Sequence, residues 1–136
     1  MTEADEIIKN LKMSKHPEGG HFIESYRNKN LSLIYYLLKK SEKSHWHRLT
    51  KNEILHFYLG DALYIYKSVD GINVNKSIIG KDHNFHCIIS AGTWFSMKSS
   101  GQYSLIGCTV SPAFDYNDFE LAPKNWKPKN LNKKSD

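Results

Sequence analysis

The chain alternates apolar and polar positions in short runs that predict β-strands. In residues 21–27 this alternation places Phe22, Glu24 and Tyr26 on one face, because successive side chains of a strand point to opposite sides. Residues 31–38 are apolar almost throughout, which is typical of a strand buried on both faces. Similar runs continue to residue 121 at intervals of roughly 8–12 residues, with turn residues between them, and this indicates an all-β sandwich or barrel.

The N-terminal segment has a different period and predicts a short helix. Thr2 can cap this helix, and Asp5, three residues later, completes a capping-box pattern. The apolar positions that follow at helical spacing are Ile7, Ile8 and Leu11. We therefore expect a helix that packs on the outside of a sheet and carries no chemistry.

The composition favours a single domain with one hydrophobic core. The chain has 136 residues, of which 40% are hydrophobic, and strand-favouring Ile, Tyr and Phe are abundant. No run of about 18 apolar residues is present, which argues against a transmembrane span. The N-terminus also lacks the apolar block of a signal peptide. We expect a cytoplasmic protein in which Cys87 and Cys108 stay reduced in the core.

The formal net charge of +5 is concentrated at the C-terminus. Lysines recur throughout the last thirteen residues, at Lys124, Lys127, Lys129, Lys133 and Lys134. This composition predicts a disordered basic tail over residues 124–136, after a domain that spans residues 1–123. The body without the tail is close to neutral and contains no nucleic-acid-binding motif, so we expect no specific nucleic-acid partner.

The candidate chemistry is concentrated in residues 44–60. His45 and His47 are separated by one residue on a predicted strand, which places both imidazoles on the same face. Glu53 opens the next predicted strand. Two imidazoles and a carboxylate directed from adjacent strands into one interior are the components of a divalent-metal site or of an acid–base site.

The spacing of His45, His47, Glu53 and Gly60 resembles the first motif of the cupin superfamily. The rest of the chain resembles one branch of that superfamily, cupin family 5, over about residues 5 to 122. The resemblance is carried by His16-Pro17-Glu18-Gly19-Gly20, Glu24-Ser25-Tyr26, Trp46-His47-Arg48 with Glu53, Ala91-Gly92-Thr93-Trp94, and Cys108-Thr109-Val110-Ser111-Pro112 running on to Phe119-Glu120-Leu121.

This resemblance implies a double-stranded β-helix, that is, a jelly-roll barrel preceded by one short helix. In that fold the loop of residues 16–20 closes over the mouth of a pocket inside the barrel, where His16 and Glu18 would contact a ligand. The side chains expected to line the interior are Glu24, Tyr26, Trp46, His47, Glu53 and Trp94. A homodimer is implied by the same resemblance.

The first interpretation of the site is a metal centre. Metal-binding cupins take a fourth ligand from a second motif, but in the matching segment here Phe95 stands at the histidine position. Three protein ligands, His45, His47 and Glu53, can still hold zinc or iron when water completes the coordination.

The second interpretation is metal-free acid–base catalysis by His47, Glu53 and Glu24. The substrate would be a sugar, a nucleotide-sugar or a similar small polar metabolite, and the enzyme an epimerase, isomerase or dehydratase. The third interpretation is a module that binds such a ligand and catalyses nothing. A fourth is that the histidines are only hydrogen-bonded interior residues. The expected cofactor is therefore either none or one divalent metal ion.

Overall fold

The computed structural model describes residues 1–131 and begins with one helix, α1 (Glu3–Leu11). The Thr2 hydroxyl accepts a hydrogen bond from the Asp5 backbone N–H, and the Asp5 carboxylate accepts one from the Thr2 N–H, so the predicted capping box is confirmed. In the described part of the chain, no helix is long and apolar enough to cross a membrane. The cytoplasmic location stays a prediction.

The strands of residues 1–131 form two antiparallel sheets that face each other as a jelly-roll barrel, which confirms the predicted fold class. They are β1 (Ser14–Lys15), β2 (His21–Asn28), β3 (Leu31–Lys39), β4 (Ser44–Leu49), β5 (Asn52–Gly60), β6 (Leu63–Ser68), β7 (Asn75–Ile79), β8 (His86–Ile89), β9 (Trp94–Ser99), β10 (Tyr103–Ser111) and β11 (Phe119–Leu121). The six-stranded sheet has the order β1-β2-β3-β10-β5-β8, and the five-stranded sheet has the order β11-β4-β9-β6-β7.

The hydrophobic core lies between the two sheets, and β3 shows how the sequence pattern builds it. Tyr36 and Leu38 point into this core, where they join buried side chains of β5, β6, β9 and β10. Leu37 points to the opposite face, where it is covered by α1 through Ala4. The strand is apolar on both faces because one face meets the opposite sheet and the other meets the helix.

Two register shifts determine which side chains point into the barrel. The pairing of β2 with β3 shifts between Glu24 and Tyr26, and the pairing of β4 with β9 shifts between Ser44 and His47. Because side chains alternate with a period of two, an unpaired extra residue moves the following side chains to the other face. The regular alternation that we predicted for β2 and β4 is therefore wrong at these two points.

Part of the basic C-terminal segment packs on the outside of the five-stranded sheet. The ring of Trp126 lies 4.6 Å from that of Trp94 and 6.0 Å from that of Trp46, centroid to centroid. The backbone N–H of Asn130 donates to the Ile72 carbonyl at 2.8 Å. The predicted boundary at residue 123 stays a prediction, and residues 132–136 of the predicted tail lie outside the described residues.

Substitutions at two glycines test how closely the backbone of the barrel is packed. Gly60 and Gly92 both have a left-handed φ, +94° and +84°. A Cβ at Gly60 would lie 2.5 Å from the Tyr103 carbonyl oxygen, whereas a Cβ at Gly92 would have no atom within 4 Å. We expect Gly92→Ala to lower the free energy of unfolding by about 1 kcal/mol through backbone strain alone. Gly60→Ala should cost about 2 kcal/mol more because of the clash. Urea unfolding measures both, and equal losses would contradict the prediction.

Candidate functional site

A cavity of about 350 Å³ lies inside the barrel between the two sheets. Its apolar and aromatic walls consist of Phe22, Ile34, Leu49, Met97, Val110, Phe114, Tyr116 and Phe119. Its polar and titratable side chains are His16, Glu18, Glu24, Arg27, Ser32, Tyr36, His47, Glu53, Cys108 and Asp115. A concave, mainly apolar cavity with a few convergent polar groups is typical of a small-molecule site.

Glu18 and His47 form a buried pair on the wall of this cavity. Glu18 Oε1 lies 3.2 Å from His47 Nε2, and the two side chains are 7% and 4% exposed. The Ser44 hydroxyl donates a hydrogen bond to the other carboxyl oxygen, Glu18 Oε2. Glu18 comes from the loop before β2, whereas Ser44 and His47 belong to β4, so the pair is formed only when the barrel closes.

The hydrogen bonds of His47 determine where its proton lies. Its Nδ1 is 2.7 Å from the carbonyl oxygen of His45, and because a carbonyl only accepts, Nδ1 carries the hydrogen. The Nε2 of the neutral ring is then an acceptor that faces Glu18. Burial lowers the pKa of His47 to about 4 and raises the pKa of Glu18, which favours the neutral form of each. In this neutral form Glu18 donates its carboxyl proton to His47 Nε2.

The loop of residues 16–20 holds Glu18 in this position through its backbone. The His45 N–H donates to the Glu18 carbonyl at 2.8 Å, and the Tyr36 hydroxyl donates to the Gly19 carbonyl. Gly19 has a φ of +113°, which favours glycine. The loop is therefore attached to β3 and β4 through two successive carbonyl groups, at the residue that presents its carboxyl group to the cavity and at the next one.

His16 completes the inner end of this loop. Its Nδ1 accepts a hydrogen bond from the Glu18 backbone N–H at 3.1 Å, and its ring packs edge-on against Phe22 with centroids 4.6 Å apart. Burial lowers the pKa of His16, so the ring is favoured in its neutral form. His16 and Glu18 thus both line the cavity, as the sequence predicted.

Glu53 lies on the inner face of β5 and is 8% exposed. The Cys108 thiol lies beside its carboxyl group and lowers its pKa slightly against the larger effect of burial. Burial, and secondarily the nearby Glu18 carboxyl, raises the pKa of Glu53 to about 8, so the side chain is mostly protonated at neutral pH. Burial also raises the pKa of the Cys108 thiol, which makes it a poor nucleophile.

Glu24 lies at the mouth of the cavity. Its carboxylate accepts two hydrogen bonds from Arg27, from Nε at 3.0 Å and from Nη2 at 2.9 Å. The side chains of Glu24 and Arg27 are 39% and 45% exposed, and Asp115 lines the same mouth. Glu24 therefore lines the cavity as expected, but Arg27, three residues further along the chain, holds its carboxylate at the rim and not deep in the interior.

The structure separates His45 from His47, so the expected metal triad does not come together. His45 Nε2 lies 3.0 Å from the Pro123 carbonyl oxygen, on the side of β4 away from the cavity. The register shift in β4 turns the two imidazoles apart, although they are only two residues apart in sequence. Within residues 1–131, no group of three His, Cys, Asp or Glu side chains is arranged to hold a metal ion. The donor set does not fit a metal.

Three predicted aromatic lining residues also lie elsewhere. Trp46 and Trp94 pack with Trp126 on the outer face of the five-stranded sheet. Each is the chain neighbour of an inward-pointing residue, His47 or Phe95, and strand neighbours point apart, so the sequence already contained this signal. Tyr26 follows the register shift of β2 and is 52% exposed.

Several lining residues were not predicted from the sequence. They are Arg27, Ser32, Ile34, Tyr36, Leu49, Met97, Cys108, Val110, Phe114, Asp115, Tyr116 and Phe119. The alternation of β4 and β10 could have identified Leu49, Cys108 and Val110. No local pattern identifies the aromatic residues of the segment before β11, because they reach the cavity only when that segment folds across the mouth.

Comparison with known proteins agrees with the fold. A family model described as "Cupin superfamily (DUF985)" matches residues 5–122. The crystal structure of protein SO0799 from Shewanella oneidensis is 34% identical, with a TM-score of 0.84 over 90% of this chain and 85% of that protein. A hypothetical protein from Leishmania major is 26% identical, with a TM-score of 0.82 over 92% and 90% of the two chains. No curated protein matches the sequence.

A more distant similarity concerns the fold alone. Oxalate decarboxylase from Bacillus subtilis is 12% identical, with a TM-score of 0.67 over 79% of this chain and 29% of that enzyme. The barrel described here is therefore shared with one portion of a longer enzyme.

The protonated state of Glu53 predicts a pH dependence of stability. Its pKa is about 8 in the folded protein against an ordinary 4.5, so the folded protein retains a proton that the unfolded chain releases. This contribution to stability is complete below about pH 4.5 and is lost as the pH rises through about 8. The pKa of His47 is lowered, so its contribution to the free energy of unfolding rises with pH. This rise occurs only below the ordinary histidine pKa of 6.5.

We therefore expect the free energy of unfolding to fall between pH 6.5 and 8, by at most about 1.4 kcal/mol per pH unit for each such carboxyl group. Glu53→Gln should flatten this decline, leaving only the slope due to Glu18, whose pKa is also raised by burial. Glu6→Gln, on the exposed surface of α1, should keep the full decline. Urea titrations at several pH values measure the slopes, and an unchanged slope in Glu53→Gln would contradict the assignment.

Proposed function

Because this chain belongs to the cupin superfamily, in the family described as "Cupin superfamily (DUF985)", we propose that its barrel cavity binds a small polar metabolite and catalyses proton transfer on it. A sugar, a nucleotide-sugar or a similar carbonyl or hydroxyl compound is the ligand class, and the reaction is an epimerisation, isomerisation or dehydration. The observation that carries this proposal is the buried pair of Glu18 and His47, joined at 3.2 Å on the wall of a 350 Å³ cavity.

The pair of Glu18 and His47 supplies the base. When the shared proton moves from Glu18 to His47 Nε2, the carboxylate that remains accepts a proton from a ligand carbon next to a carbonyl group. The His45 carbonyl, which accepts from His47 Nδ1 at 2.7 Å, stabilises the imidazolium that forms. The pair stays neutral overall before this transfer, so the cavity holds the reactive proton without burying a net charge.

Glu53 supplies the acid. Its carboxyl group carries a proton at neutral pH and donates it to the ligand oxygen while Glu18 removes the carbon-bound proton. Return of a proton to carbon, with Glu53 recovering its own from the oxygen, completes the cycle. Glu24 takes no part because it is paired with Arg27 at the mouth. The proposed cycle is written without a metal ion, because no three His, Cys, Asp or Glu side chains in residues 1–131 are arranged to hold one.

A second candidate is a binding module that catalyses nothing. The observation that favours it is that Glu18 and His47 already satisfy each other, with Ser44 as a further donor, before any ligand enters. In that case the same groups only orient a ligand. The two candidates share the cavity and differ in whether a proton is exchanged.

Deuterium exchange tests the catalytic proposal. Free sugars, nucleotide-sugars and small hydroxycarbonyl compounds are incubated with the protein in D₂O, and proton NMR detects loss of carbon-bound hydrogen. We expect exchange in at least one compound, and Glu18→Gln and His47→Gln should each slow it by about 100-fold or more. His83→Gln, at an exposed turn position that does not line the cavity, should leave the exchange rate unchanged.

Each result of this experiment bears on one candidate. A compound that binds in the cavity and is recovered unchanged, with no exchange, favours the binding module and contradicts the catalytic proposal. Exchange that survives in both Glu18→Gln and His47→Gln contradicts the assignment of the base.

We also propose that the chain forms a homodimer through the outer face of the six-stranded sheet. Tyr58, Phe85 and Ile88 are 52%, 57% and 60% exposed near its edge strand, β8. Ile88→Lys should therefore convert a dimer into particles of 15.7 kDa in sedimentation experiments. Val69→Lys, at an 80% exposed turn position, is the control and should remain dimeric. A wild-type protein that sediments as a monomer at high concentration contradicts this proposal.

A further inference from the structure

The cavity contains many titratable groups but very little positive charge. Among the described residues that line it, Arg27 is the only lysine or arginine. Arg27 lies at the mouth, where both of its hydrogen bonds to Glu24 are 3.0 Å or shorter. The protein as a whole carries a net charge of +5, but basic side chains are scarce in this cavity.

The mouth has more negative than positive charge. Glu24 and Asp115 provide two carboxylates beside the single guanidinium of Arg27. Glu24 pairs with Nε and Nη2 of Arg27 and neutralises its charge, so the guanidinium attracts a phosphate or carboxylate group of a ligand less strongly than an unpaired one would. An anion that approaches the cavity therefore meets a net negative rim.

The interior provides hydrogen-bonding groups without a full charge. Burial favours the neutral forms of His16, Glu18, His47 and Glu53, because it lowers the pKa of the two histidines and raises the pKa of the two glutamates. Aromatic walls such as Phe22 and Phe119 provide apolar faces between these polar groups. Neutral donors and acceptors next to aromatic faces match a molecule that has hydroxyl or carbonyl groups on an apolar ring or chain.

We infer that the ligand is uncharged, a free sugar or another polyhydroxylated carbonyl compound, and that the cavity rejects sugar phosphates, sugar acids and nucleotide-sugars. Burying an anion without a paired cation costs more than hydrogen bonds to neutral groups return. This inference rests on the proposed function and narrows its ligand class, since it removes the nucleotide-sugars from the candidates.

Matched sets of compounds test this inference. Each set contains a free sugar, its phosphate ester and its nucleoside-diphosphate derivative, for example D-glucose, glucose 1-phosphate and UDP-glucose, and parallel sets contain galactose and mannose. Binding is followed by NMR through the methyl groups of Met97 and Val110, which line the cavity, with the exposed Val69 methyl groups as a control for non-specific binding. We expect the free sugar of at least one set to bind at least about tenfold more tightly than its charged derivatives.

Glu24→Gln provides a second test at the mouth. This change removes the partner of Arg27, so the guanidinium becomes free to pair with a phosphate group. The ratio of sugar phosphate affinity to free sugar affinity should then rise by at least about fivefold. Glu120→Gln is the matched control, because it breaks the similar 2.8 Å ion pair of Glu120 with Arg48 away from the cavity and should leave this ratio unchanged.

The outcomes separate this inference from the proposed function. A phosphate ester or nucleotide-sugar that shifts the Met97 and Val110 methyl signals more strongly than its free sugar overturns the inference. If that charged compound also exchanges deuterium in a reaction that requires Glu18, the proposed function is retained and only the inference of an uncharged ligand fails. If no compound of any set shifts these signals, the inference and the proposed ligand class both fail. An unchanged ratio in Glu24→Gln contradicts the role assigned to the ion pair at the mouth.

Discussion

The buried contact between Glu18 and His47 is the interaction on which the rest of this site depends. A carboxyl group that is 8% exposed is stable there only if its proton and lone pairs are satisfied. His47 and Ser44 satisfy them from β4, and the loop of residues 16–20 is bound to the same strand through the backbone. The cavity wall, the position of the loop and the shared proton therefore all follow from one contact between distant parts of the chain.

The register shift in β4 determines what kind of chemistry this contact supports. A regular strand would have directed His45 and His47 into the barrel together, beside Glu53, as a set of metal ligands. The shift turns the His45 ring toward Pro123 and leaves its carbonyl as the acceptor of the His47 Nδ1 proton. One local irregularity thus replaces a second imidazole with a backbone group that fixes the tautomer of the first.

The distribution of charge supports the same view of the site. Burial keeps the interior groups neutral, while the ion pair of Glu24 and Arg27 stays at the rim, where water still solvates it. The chain shares its barrel with the Shewanella and Leishmania proteins over most of their length. Because one fold supports many functions, we propose proton transfer on an uncharged ligand from these side chains and their environment and not from the fold.

The sequence alone was sufficient for the barrel, its N-terminal helix, and five of the polar cavity residues, His16, Glu18, Glu24, His47 and Glu53. Strand alternation, capping residues and motif order are local properties, and local properties can be read along the chain. The position of Tyr26, the separation of His45 from His47, and the pairing of Glu24 with Arg27 were decided only by the tertiary structure. Strand register depends on hydrogen bonds between segments far apart in sequence, and a shift of one residue reverses which face a side chain occupies. The protonation states of the buried carboxyl groups likewise depend on burial, which exists only after the two sheets have closed around them.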